Sequence, residues 1–156
     1  MTQSAYILSS DNAKVVGQGE SGNWQMLDDS DARVTAFLAA QSTARTVAAA
    51  VSAALAGGIN LTSTGTPALN GNYSVSAQSI ANVANVTTYI LKNGRFPGGV
   101  SQLPWADTAG SMHAFPDVAT FENFATAFAD FVAAVQIYAD SAGTVGSIPS
   151  NAITIP

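Results

Sequence analysis

A chain of 156 residues has room for one substantial core, and with 47% hydrophobic against 10% charged residues it carries far less charge than the roughly 25% of an ordinary protein. Ten acidic residues against five basic ones (Lys14, Arg33, Arg45, Lys92 and Arg95) give a net charge of −5 and no basic stripe to neutralise phosphates, which argues against nucleic-acid binding. The absence of cysteine excludes disulfides, thiol catalysis and thiolate metal sites together.

A surface so poor in charge is expected to meet other protein, because exposed apolar area favours association by about 25 cal/mol per Å². A homo-oligomer or assembly subunit is therefore expected. The N-terminus, with its single short apolar run Tyr6-Ile7-Leu8, lacks the pattern of a signal peptide. The stretch Val47–Ala56 is Ala-dominated and far short of the ~20 residues that cross a bilayer. Both point to synthesis as a soluble cytoplasmic protein with no membrane partner.

Along the chain, Tyr6-Ile7-Leu8, Lys14-Val15-Val16 and the segment ending at Trp24 are short β-rich runs separated by Gly, Asn, Asp and Ser, and they predict a two- or three-strand meander. Asp28-Asp29-Ser30-Asp31 offers capping side chains and negative charge to the positive end of a helix dipole. A long helix is predicted from about Asp31 to Ala56, with Val34, Phe37, Leu38, Val47, Val51 and Leu55 as its apolar positions and Gly57-Gly58 as its left-handed cap. Its many alanines allow close approach of another backbone, either within the subunit or from a symmetry mate.

Ile59–Ser63 alternates with period two and predicts a strand; Asn70-Gly71 is the dipeptide of a type I′ hairpin turn. Ser76 caps a predicted helix to about Asn93, with Ile80, Val83, Ala84, Thr87, Ile90 and Leu91 on one face, and Gly94 ends it. Arg95-Phe96-Pro97-Gly98-Gly99 turns the chain back. Residues 100–105 and 111–115 flank the turn Asp107-Thr108-Ala109-Gly110 as a second hairpin. Pro116-Asp117 opens a last helix whose Phe121, Phe124, Ala125, Phe128, Phe131, Val132, Val135 and Tyr138 form a stripe too wide to leave in water. The Gly/Ser/Pro-rich tail ends in Ile153-Thr154-Ile155, a strand suited either to its own sheet edge or to a neighbour's.

The fold class expected from this order is α+β, about three helices packed with short antiparallel hairpins. The expected organisation is a single domain over 1–156: a β-meander and Ala-rich helix (1–58), an α+β module (59–140) and an extended tail (141–156).

The order of elements over residues 66–138 carries Gly71 and Tyr73, Ser76-Ala77-Gln78-Ser79-Ile80, Trp105 to Gly110, then Phe121, Phe124, Ala125, Ala127, Phe131 and Val132. It resembles a small domain of unknown function that recurs in phage tail-fibre and tail-fibre-assembly proteins. The resemblance implies a virion or virion-assembly context and no reaction. It implies a structural component (fibre, spike, decoration or adaptor subunit) bound to copies of itself and to other virion proteins; the alternatives are an assembly chaperone absent from the mature particle and a host-surface receptor-binding module.

The residues offer little chemistry. His113 is the one histidine and lies in a predicted hairpin strand, away from any nucleophile elbow. Asp107, Asp117 and Glu122 are each explained by a turn, a cap or a helix dipole, so no carboxylate pair is left for acid–base work. Asp28-Asp29-Ser30-Asp31 lacks the spacing of a calcium loop, and neither Gly17-x-Gly19 nor Gly57-Gly58 fits a phosphate loop, so no metal and no cofactor is expected. Trp24, Tyr73, Trp105 and Tyr138 are candidates for stacking on a host-surface glycan, although scattered aromatics more often serve as core or interface anchors. The candidate interface residues are Trp24, Phe37, Val47, Val51, Leu55, Trp105, Ile153 and Ile155.

Overall fold

Among the described residues, 3–156, the computed structural model has three helices and three small sheets with antiparallel hairpins, an α+β architecture. Contacts divide the chain into two compact units, residues 1–47 and 48–156, with the boundary inside the first helix.

In the first unit β1 (Gln3–Leu8) lies between β2 (Val15–Gln18) and β3 (Trp24–Asp28), antiparallel to both. The expected meander, which would put the second strand in the middle, is thus replaced by a sheet centred on the first. β1 carries the unit's longest apolar run, and both neighbours add a buried apolar residue to the face that holds Tyr6 and Leu8: Val15 opposite Leu8, and Leu27 opposite the half-buried Ser4.

Helix α1 (Ala32–Ala56) starts where the acidic cluster predicts. The Asp31 Oδ1 accepts from the Arg33 amide at 2.8 Å, and its carbonyl accepts from the Thr35 amide at 2.9 Å. Arg33 folds back to pair with the Asp31 carboxylate at 2.7 Å, which holds that carboxyl down at about 2. Val34 is fully buried, and Phe37 meets the Tyr6 ring edge-on at 6.4 Å. Together with Leu8, Val15 and Leu27 these residues form the unit's small core.

In the second unit the end of α1 is capped by Gly58 at φ +65, where a Cβ would stand 2.5 Å from the Tyr73 carbonyl oxygen. Strand β4 (Ile59–Ser63) is central, antiparallel to β5 (Gly71–Tyr73) and parallel to β8 (Ala152–Ile155). The terminal strand therefore closes an edge of its own sheet, with Ile155 beside Ser63.

The β4–β5 connection differs from the predicted type I′ turn. It spans residues 64–70 with a 3₁₀ turn at Pro67–Leu69, and Asn70 is extended. Asn70 works through its side chain, whose Oδ1 accepts from the Ser63 amide at 2.7 Å.

Helix α2 (Ala77–Asn93) has Ser76 as its N-cap and the left-handed Gly94 at its end, both as predicted. Its buried line is Val83 and Ile90, whereas Leu91, expected on the same face, is 76% exposed. The hairpin of β6 (Leu103–Ala106) and β7 (Met112–Phe115) closes through Asp107, whose Oδ1 accepts from the Ala109 and Ser111 amides at 2.9 and 2.8 Å.

Helix α3 (Val118–Asp140) is capped by Asp117, which accepts from the Thr120 amide at 2.8 Å. Its 23 residues, unlike the shorter Val47–Ala56, are long and apolar enough on composition to cross a bilayer. Its Phe stripe packs into the core instead. Phe121 and Phe124 are fully buried; Phe121 meets Phe115 at 5.2 Å and Trp105 at 5.6 Å, and Phe124 meets Phe115 at 5.1 Å and Tyr73 at 5.3 Å. Each such ring contributes on the order of 1.5–3 kcal/mol by leaving water, which makes α3 the anchor of this unit.

Candidate functional site

Three places in the molecule could carry function: a polar node around His113, an apolar groove between α2 and α3, and the outer face of the N-terminal sheet.

The polar node gathers residues far apart in sequence. The 3₁₀ turn brings the Ala68 carbonyl to 2.6 Å from His113 Nδ1, and the hairpin turn brings Asp107 Oδ2 to 3.2 Å from Nε2. Beside them Thr108 donates through its amide to the Asn72 carbonyl and through its hydroxyl to Asn72 Oδ1, each at 2.8 Å. Asn72 in turn donates to the Gly57 carbonyl at 2.8 Å. The Tyr73 hydroxyl donates to the Leu69 carbonyl at 2.7 Å, and burial, with the nearby Asp107 charge, pushes that phenol up to about 12. Gly71 is fixed by this packing: a Cβ there would stand 3.2 Å from His113 Nε2 and 3.4 Å from Asp107 Oδ2.

Both ring nitrogens of His113 face acceptors, so the doubly protonated ring fits best. The Ala68 carbonyl and then the Asp107 carboxylate raise the His113 pKa, against the opposing effect of burial, and the His113 hydrogen bond leads those that lower Asp107. Through these two contacts the ring clamps the 3₁₀ turn to the hairpin.

The groove lies along the outer side of α2 and α3 and measures about 1000 Å³. Ala84, Thr88 and Leu91 line it from α2, and Thr126, Ala129 and Ala133 from α3. Its floor includes Val83, Ala125 and Phe128, and its ionisable groups are two carboxylates, Glu122 and Asp130.

The N-terminal sheet is apolar on both faces. Opposite residues point to the same side, so the pairs Ile7–Trp24 and Ala5–Met26 lie on the side away from the core formed by Tyr6 and Leu8. Trp24 is 44% and Met26 45% exposed, and Val16 on the neighbouring strand is also exposed.

The structure separates the sequence-derived interface residues. Trp24 is exposed on that outer face. Phe37 is half-buried against the first unit's core and Val47 is buried. Val51, Leu55 and Ile153 are partly buried against the core of the second unit, Trp105 packs on Phe121 and Phe124, and Ile155 is buried outright. The groove was not foreseen; its one sequence signal is the line of small residues beside the Phe stripe on α3.

Among the described residues no three His, Asp or Glu side chains converge as metal ligands, and Asp28 instead accepts from the Ser30 amide at 2.9 Å. No protein-family model, no curated protein and no solved structure matches this chain.

Proposed function

We propose that this protein is a non-enzymatic structural component of a phage-like virion, a fibre, spike, decoration or adaptor subunit that acts through self-association and contacts with other virion proteins. The observation that carries the reading is apolar surface left uncovered by the folded chain: the outer sheet face with Trp24 and Met26, and the groove between α2 and α3. Monomeric proteins keep such patches small, and repeated weak contacts in a symmetric particle multiply one another. The resemblance of residues 66–138 to a phage tail-fibre domain supports the virion setting. The residues that carry it include Gly71, Tyr73, Trp105, Asp107, Phe121 and Phe124, each of which has a packing or hydrogen-bonding role in the fold.

Mass spectrometry of purified particles tests the reading. Recovery of the chain in stoichiometric amount is expected. Its absence from finished particles, while it binds fibre proteins during assembly, would replace the structural role with that of an assembly chaperone; adsorption of the isolated chain to cells or glycans would favour a host-surface binding module.

A further inference from the structure

Among the described residues, the middle of α1 is left almost uncovered. From Leu38 to Thr46 every residue except Gln41 is exposed, over about 12 Å of helix at 1.5 Å per residue. Helices in proteins are held chiefly by packing of one face, and among the described residues this stretch has almost none. Its side chains are small (Ala39, Ala40, Ser42, Ala44), so another backbone can approach closely. Its one charge is Arg45, whose guanidinium donates to Gln41 Oε1 at 3.2 Å and, among the described residues, pairs with no carboxylate.

The α2–α3 groove is the converse. Its α3 wall from Glu122 to Gln136 runs about 21 Å, long enough to seat that stretch of helix. Ala84, Thr88, Thr126, Ala129 and Ala133 keep its walls low, and its only charges are the carboxylates of Glu122 and Asp130. A helix carrying a carboxylate there would meet repulsion; one carrying a single cation among alanines meets complementary charge as well as complementary relief.

We infer that the groove between α2 and α3 receives the exposed middle of α1, residues 38–46, from a second copy of the chain, with Arg45 directed to Glu122 and Asp130. The inference rests on the self-association proposed above and names its surfaces. Each copy then carries both halves of one contact, so a reciprocal pair or a closed ring leaves neither half unmatched.

The chain has no cysteine, so disulfide trapping is clean. Ser42→Cys chains mixed with Ala129→Cys chains under mild oxidation should yield chiefly the 42–129 linked pair. A double variant, Ser42→Cys with Ala129→Cys, should link between chains. Arg45→Glu should weaken association at least tenfold in sedimentation, and Glu122→Lys with Asp130→Lys in the same chain should restore it. All these positions are at the helix surface, and thermal unfolding at the wild-type temperature confirms that each variant folds.

Symmetric 42–42 and 129–129 links alone, a disulfide within one chain of the double variant, or unchanged association of Arg45→Glu would each overturn this contact. If the wild-type chain still associates in any of these cases, the structural reading stands without this interface. A wild-type chain that is solitary at every concentration and missing from particles removes both.

Discussion

The two compact units spend their apolar residues differently. Residues 48–156 gather Tyr73, Phe96, Trp105, Phe115, Phe121, Phe124 and Phe128 into one network of rings, and most of these are buried. Residues 3–47 bury Tyr6, Leu8, Val15, Leu27 and Val34 in a smaller core, and both units leave apolar side chains in water: Val16, Trp24, Met26 and Leu38 in the first, Leu91, Met112 and Ile137 in the second. A unit near 45 residues is about the size at which one core becomes marginal without outside help. The comparison teaches that the second unit is organised around one continuous aromatic core, whereas the N-terminal unit is held by a much smaller, mostly aliphatic one.

Removing a buried ring from α3 is the hardest test of that contrast. Phe128→Ala and Phe131→Ala, both buried on α3, should each cost roughly 3–5 kcal/mol in urea unfolding. Wild-type stability in both would mean that the second unit does not depend on its aromatic core. In the first unit Leu27→Ala should cost about 2–3 kcal/mol. Hydrogen exchange should then show lost protection in β1–β3 with the amides of α3 unchanged; loss in both units would mean that they unfold together.

The His113 node gives the second unit a pH signature. Its raised histidine pKa means that the stabilisation is complete below about 6.5, the unperturbed value, and is lost as pH rises through the folded value. Asp107 is lowered, so its share is present above about 3.8, the value it has when unfolded, and fades as pH falls through the folded one. Thermal melts should therefore peak on the mildly acidic side, and His113→Gln should flatten the alkaline limb. An equal alkaline slope in that variant would assign the dependence to other groups. The smallest effect on stability is expected at Trp24, where Trp24→Ser should change folding by no more than ~0.5 kcal/mol yet weaken association. A large loss of folding stability would mean that Trp24 supports the unit from within.

Local features were legible in the sequence, and features set by distant contacts were not. Ser76, Asp117 and the Asp107 turn act on amides two to four residues away, so a short window contained both partners. Helix boundaries and the α+β class followed from those stops and from the Phe stripe. Gly71 misled because its requirement is not a turn angle but the approach of His113 from 42 positions downstream. The order of the N-terminal strands also escaped, since three short runs with similar flanks do not say which one takes two neighbours. Leu91 and the groove escaped for a related reason: helical periodicity marks an apolar face but not whether the same chain covers it.

Light scattering of the purified full chain across a concentration series tests the central claim most directly, namely that apolar surface left uncovered by folding is covered by sister molecules. A mass that climbs to a fixed multiple of the single chain, and drops back in Trp24→Ser or Arg45→Glu, is the expected result. A single-chain mass held from low to high micromolar concentration would contradict it.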